Sequence, residues 1–266
     1  MADVEADTHG HLRTDPITIR HVSLEQPWIW LAAGWRDLWR VPTISLTYGT
    51  VFFAISVAIT AGLVYADLLY LLPPLIAGFM LVGPMLAVGC YEASRRLETG
   101  EPVRLIDVTF VYTRAPAQLA FVGALLSLFF LAWIRTAMLI FAIFYGIEAP
   151  PVPELVSAFL FTYKGLSFLA VGTAVGAVLA FVAFAVSVIS VPMLMRHETD
   201  AVTAMAKSIE AVRRNFWPMM LWAWLIALLT VCGVATLYVG SIITLPLVGH
   251  ATWHAYRSLI ADSGPN

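Results

Sequence analysis

The stretch PLVGHATWHAYRSL, from Pro246 to Leu259, carries two imidazoles four residues apart. In a helix, His250 and His254 stand on one face at i and i+4. That spacing serves metal and haem ligands. It also arises where a polar helix end leaves a membrane. No HExxH, GxSxG, Walker loop or CxxC accompanies the pair, so no catalytic residue is assigned. Two further polar clusters recur in similar settings: Tyr91, Glu92, Arg95 and Arg96, and then Arg196, His197, Glu198 and Asp200. If the three segments converge, His250 or His254 meets Glu92 or His197. A carboxylate beside an imidazole can bind a metal or relay a proton. The same groups can equally pair with Arg95 and Arg196. The expectation is no cofactor, with haem or a metal at His250/His254 as the testable exception.

Arg135, in LAWIRTAML, is the other residue with chemical potential. An arginine near mid-membrane costs at least about 2.5–3.5 kcal/mol on insertion scales. Ala117 to Ile134 precedes it and is long enough to cross the hydrocarbon core. Arg135 is therefore expected at the outer interface, snorkelling or paired. Asp67, Glu148 and Glu154 are the candidate partners. A substrate or ion site is the alternative.

These residues depend on elements that lipid must solvate. The chain has 266 residues, of which 60% are hydrophobic and 12% charged, with mean hydropathy +0.84. Ordinary soluble domains are about a quarter charged. A net charge of −2 gives no basic surface for nucleic acid. Cys90 and Cys232 both sit in apolar runs and read as packing residues, not as a disulfide framework. No secretory signal pattern is visible, and residues 1–22 read as a disordered polar tail.

Six apolar segments are candidate spans: Ile44–Val64, Leu68–Cys90, Ala117–Tyr145, Leu166–Leu194, Phe216–Val234 and Leu237–His254. The expected fold is all-α: a polytopic membrane helix bundle over 23–260, with six transmembrane helices in three hairpins, short interfacial amphipathic helices and a C-terminal tail over 261–266. Thirteen of the 15 Lys and Arg fall before the first span, between the second and third, between the fourth and fifth, or after the sixth. The positive-inside rule then puts both termini in the cytoplasm of a multi-pass, bacterial inner-membrane protein.

The three hairpins share an order of features. Pro42, Pro116 and Pro218 mark the entries, and Pro84, Pro192 and Pro246 mark the exits. This predicts an internal threefold repeat. Each exit proline leaves a carbonyl four residues earlier, that of Met80, Val188 or Ile242, without its amide partner. Those carbonyls could line a shared polar vestibule. The entry segment WIWLAAGWRDLWRV places Trp28, Leu31, Trp35, Leu38 and Trp39 on one face, with Arg36, Asp37 and Arg40 elsewhere, as an interfacial anchor. Ser23 is expected to cap this helix, with Gln26 completing a capping box. Asp200 is expected to cap the helix that carries Met205, Ile209 and Val212. Gly172, Gly176 and Ala180 form a small-residue face suited to close helix packing.

Together GWRDLWRVP, GPMLAVGCYEASRRLETGE and VPMLMRHETDAVTAMAKSIEAVRRNFWPMMLWAWLIALLT, running into PLVGHATWHAYR, resemble a family of bacterial integral membrane proteins catalogued as domain-of-unknown-function family 2189. The resemblance covers about residues 28–260, and GHATWHAYR is its most specific part. It implies a six-span inner-membrane protein with no established activity. Some members carry the label cytochrome c oxidase subunit I. That subunit holds two haems and a copper with six histidines in about twelve spans, whereas only His197, His250 and His254 lie outside the tail here. The label fits at most an accessory or assembly partner of a respiratory complex. The expected function is a non-enzymatic scaffold, assembly factor or accessory subunit, with lipid and a membrane protein as partners. A small-solute transporter is the alternative.

Overall fold

The computed structural model describes residues 17–111, 113–146, 151 and 154–261. Its elements run β1 (Thr18–Ile19), α1 (Gln26–Arg40), α2 (Pro42–Tyr65), α3 (Leu72–Leu86), α4 (Val88–Thr99), α5 (Leu105–Thr109), α6 (Pro116–Tyr145), α7 (Leu155–Leu160), α8 (Tyr163–Ser187), α9 (Ser190–Arg196), α10 (Ala201–Arg214), α11 (Phe216–Ala235), α12 (Ser241–Leu259) and β2 (Ile260–Ala261). Five helical stretches are long and apolar enough to cross a membrane: Pro42–Tyr65, Leu69–Thr99, Pro116–Tyr145, Tyr163–Arg196 and Phe216–Ala235. The expected sixth, Leu237–His254, corresponds to α12. It is helical, but its second half carries His250, Thr252, His254 and Arg257 and is buried in protein, not lipid.

Proline sets both the starts and the breaks. Pro42 and Pro116 open α2 and α6, where a missing amide is harmless, and Pro218 lies in the first turn of α11. Pro84 sits two residues before α3 ends at Leu86, and the chain resumes as α4 after Ala87. In the fourth span the helix breaks between Ser187 and Ser190. There the Ile189 amide donates to Ser208 Oγ of α10 at 3.1 Å, which satisfies a buried donor the break would strand. Pro246 stays inside α12. The Ile242 carbonyl it frees points at Gly49 of α2, where an added Cβ would lie 2.1 Å from that oxygen.

Packing departs from three simple hairpins. α2 packs chiefly on α12, while α3 packs on α6 and α8; α6 and α8 also pair, as do α11 and α12. The expected tight hairpin of the first two spans is thus opened out, and Phe52 and Phe79 meet across it at 6.2 Å between ring centroids. Glycines determine the preference. Gly49 admits α12 to backbone contact with α2, and Gly34 of α1 does the same against Ala251. On the other side Gly78 of α3 receives the Phe130 and Trp133 rings of α6. The small-residue face of α8 behaves similarly: Gly176 meets the Trp133 ring, whereas Gly172 faces open space. That face takes up an aromatic side chain instead of a helix backbone.

Two terminal expectations change. Residues 17–22, read as tail, are docked. β1 pairs antiparallel with β2, Thr18 opposite Ala261 and Ile19 opposite Ile260. The buried Asn215 side chain accepts from the Val22 amide at 2.9 Å and donates to the Arg20 carbonyl at 3.0 Å. Its Nδ2 also donates to the Ala211 carbonyl at 3.2 Å; a buried amide needs such bonds, and those to Arg20 and Val22 hold the strand in place. Residues 1–16 and 262–266 lie outside the described residues. Ser23 does not cap α1: the helix begins at Gln26 with Glu25 before it and no side-chain cap. Pro27 presents no amide in the first turn, so one donor fewer needs capping. Asp200 does cap α10, accepting from the Thr203 amide at 2.8 Å.

Candidate functional site

α12 is the hub of the basic end of the molecule. α1, α2, α4 and α11 pack around it, and α9 reaches it as well. The three exit segments α4, α9 and α12 do converge. The histidines nevertheless meet different partners from those expected. His250 is 1% exposed. Its Nδ1 lies 2.8 Å from Ser94 Oγ on α4 and its Nε2 lies 2.9 Å from Ser45 Oγ on α2. Ser94 Oγ donates to Asp37 Oδ2 at 2.8 Å, and His254 Nε2 lies 2.7 Å from the same oxygen.

The proton directions follow from counting donors. Ser94 has one hydroxyl proton, and it goes to the carboxylate. His250 Nδ1 must therefore carry a proton and donate to Ser94. Its Nε2 is then the acceptor, and Ser45 donates to it. The result is one ordered chain, Ser45 to His250 to Ser94 to Asp37, closed from the other side by His254. Four elements contribute to it: α1, α2, α4 and α12. Burial alone would raise the Asp37 pKa, but hydrogen bonds from His254 and Ser94 outweigh it and hold the carboxyl below its usual range.

Asp37 corrects the reading of α1. The sequence placed it off the packed face, yet Asp37 is buried with Trp30, Ala33, Gly34 and Leu38. Trp28, Trp35 and Trp39 are about half exposed instead, as suits residues at a membrane interface. The face that packs on α12 is centred on Gly34, because only there can the backbones touch. Ser45 and Ser94 were missed altogether. A serine in an apolar run carries little signal; only helices crossing at glycines bring these two to one imidazole.

The order Ser–His–Ser–Asp resembles a nucleophile, a base and an orienting acid. Ser45 is 1% exposed, so its hydroxyl cannot reach a substrate. For metal binding, both ring nitrogens of His250 and Nε2 of His254 are already committed to hydrogen bonds. Among the described residues no group of three or more His, Cys, Asp or Glu is placed to hold a metal.

The other expected residues form a surrounding ionic layer. Glu92 is 4% exposed and takes Arg95 at 2.8 Å and Arg96 at 2.7 Å. Arg95 continues to Glu101, whose pKa it pulls down to about 2, and Arg96 continues to Asp107 at 3.1 Å. Glu98 accepts from the Trp253 indole at 3.1 Å and pairs with Arg257 at 2.8 Å. His197 Nε2 lies 3.0 Å from the Tyr256 hydroxyl. Glu92 and His197 therefore join the same end of the molecule through partners other than His250 and His254. Pro192 and Pro246 are buried there, and Pro84 is partly buried.

Arg135 belongs to the opposite end. Trp133, two residues before it, donates to the Pro74 carbonyl at the far end of α3, at 2.7 Å. Arg135 itself is exposed on α6 and makes no ion pair among the described residues. Asp67 and Glu154 are not its partners, and Glu148 lies outside the described residues. It stands about 28 Å along α6 from Pro116, close to the thickness of a hydrocarbon core.

Residues 71–196 match the family model described as "Predicted integral membrane protein (DUF2189)". The matched segment runs from α3 to α9 and includes Ser94 and Glu92; Asp37, Ser45, His250 and His254 lie outside it. No curated protein and no solved structure shows a significant match to the chain.

Proposed function

We propose that this integral membrane protein is a non-enzymatic scaffold, assembly or accessory subunit of a bacterial inner membrane, crossing it six times with both termini cytoplasmic. The observation that carries the functional reading is the self-contained polar network. Its buried groups satisfy one another, and they tie four elements together at one end. A carrier needs polar groups left open to a solute along a path. Here the route outward from Ser45 meets Gly49 closed on the Ile242 carbonyl, then the Tyr48 and Phe52 rings, 5.2 Å apart. Arg135 lies on an exposed face of α6, which belongs to the other group of three helices. Transport of a small solute is the second reading, supported by the helix breaks that follow Pro84 and precede Pro192.

The topology has independent support. Because β1 pairs with β2, the two ends of the fold lie side by side, which supports an even number of crossings. Five long apolar helices plus α12 give six. The entry–span–span order recurs as α1–α2–α3/α4, α5–α6–α8/α9 and α10–α11–α12, as a threefold repeat would require. The deciding experiment is extraction in a mild detergent with mass measurement of the intact assembly, beside solute uptake into proteoliposomes. A discrete assembly with another membrane protein and no uptake is expected. Saturable uptake by the isolated chain would overturn the scaffold reading.

A further inference from the structure

Between the α2–α11–α12 and α3–α6–α8 groups, α2, α3, α11 and α12 leave a groove that is open on one side. We propose that it holds one hydrocarbon chain of a membrane lipid, from the leaflet on the side of the short α2–α3 and α11–α12 turns.

The walls fit this ligand. Phe52 and Phe79, in ring contact, close the inner end. Ile59, Leu75, Ile76 and Leu245 form the sides. From Phe52 to Thr60 the α2 wall runs about 12 Å, against about 15 Å for one leaflet of the hydrocarbon core. Depth and orientation thus match a chain lying parallel to the helices. The groove is also continuous with the lipid-facing surface: Ile55 and Val57 of α2, flanking Ser56, are 48% and 42% exposed. The neighbouring solvent is therefore acyl chain, not water.

The outer mouth is built, not left over. Leu237 and Tyr238 both take left-handed backbone angles, φ 53° and 68°, which cost about 1–2 kcal/mol per residue. This turn sets the Tyr238 hydroxyl 3.0 Å from Thr60 Oγ1, across the mouth. Three of the six hydroxyls that line the groove are spent on backbone carbonyls, Thr60 on Ser56, Thr230 on Ile226 and Ser241 on Tyr238, and the Tyr238 hydroxyl is engaged by Thr60. A polar solute would find few open partners, whereas a methylene chain needs none. Hydrophobic burial cannot drive a chain out of lipid, so selection rests on shape and on dispersion contacts with the ring-lined end.

The test is native mass spectrometry of the full chain, released from nanodiscs of defined phospholipid into detergent and washed stepwise. Wild type is expected to retain one phospholipid after the others have gone. Ser56→Phe, which fills the groove, should lower that occupancy at least about tenfold; Val178→Phe, on the exposed face of α8, should leave it unchanged. Size exclusion and thermal unfolding report folding. If Ser56→Phe does not fold, Thr230→Phe fills the groove from the opposite wall. Wild type without a last retained lipid, or equal retention in the filled variant, overturns the proposal.

Discussion

Replacing Ser94 with alanine tests the ordered chain at its middle. Ser94 donates to a buried carboxylate and accepts from a buried imidazole. Losing the donor removes a hydrogen bond to a charged group, worth about 1.5–3 kcal/mol, and strands the His250 Nδ1–H, at about 1–3 kcal/mol. Partial relaxation brings the sum to about 3 kcal/mol. For a chain of this size each kcal/mol moves the midpoint by about 2–4 °C, so apparent Tm should fall by about 6–12 °C. Tryptophan fluorescence during a thermal ramp in detergent reads this directly, since the chain has nine tryptophans. Ser127→Ala is the control: its hydroxyl is exposed and bonds only the Gly123 carbonyl, so a change within about 0.5 kcal/mol is expected. Ser45→Ala strands one acceptor and should cost about 1 kcal/mol. Because both serines act on one imidazole, the double variant should depart from additivity by at least about 0.5 kcal/mol. Equal stability of Ser94→Ala and Ser127→Ala, or strict additivity with Ser45→Ala, would refute the reasoning.

Other outcomes follow from the same geometry. Gly49→Ala forces a Cβ to 2.1 Å from the Ile242 carbonyl and should cost about 1–3 kcal/mol or more; Gly62→Ala, with open space around it, should be neutral or stabilising by about 0.5–1 kcal/mol in the same thermal assay. The Asp37 carboxyl has a folded pKa below its unfolded value. Its contribution is therefore complete above about pH 4 and lost as pH falls through the folded value; an acid titration of Tm should show this loss in wild type and not in Asp37→Asn. Arg135→Cys, in a Cys232→Ser background, should react with a membrane-impermeant thiol reagent on intact cells, whereas Arg257→Cys should react only after lysis. The reverse pattern would invert the topology. Purified protein should show no Soret band and no stoichiometric metal. A band or metal lost in His250→Ala or His254→Ala would make the pair ligands.

Much of the fold was legible because lipid imposes a simple rule on sequence. Apolar runs located the five long apolar helices, with ends that differ by up to nine residues, as where the second runs on from Cys90 to Thr99, and prolines marked where several start or break. The polar clusters near Glu92, His197 and His254 were legible as clusters because charges must collect where spans leave the hydrocarbon; their packing together through α4, α9 and α12 is seen in the structure. Arg135 was expected at the outer edge by counting residues along the third span; the structure shows it exposed on α6, about 28 Å along the helix from Pro116. What periodicity could not give was helix partnership. Within lipid every helix face is apolar, so no pattern told α2 to pack on α12 instead of α3. Glycines made that choice through backbone contacts that depend on both partners. The same contacts turned Asp37 inward and brought Ser45 and Ser94 to His250. The pairing of β1 with β2 was equally hidden, because two-residue strands carry no periodic signal. The sequence by itself determined that this is an integral membrane protein and which stretches are long and apolar enough to span. Tertiary structure alone decided that His250 and His254, separated from their partners by up to about two hundred residues, serve as hydrogen-bonded links in a clamp: polar groups in a dry interior must find one another, and only the assembled helices say which ones meet.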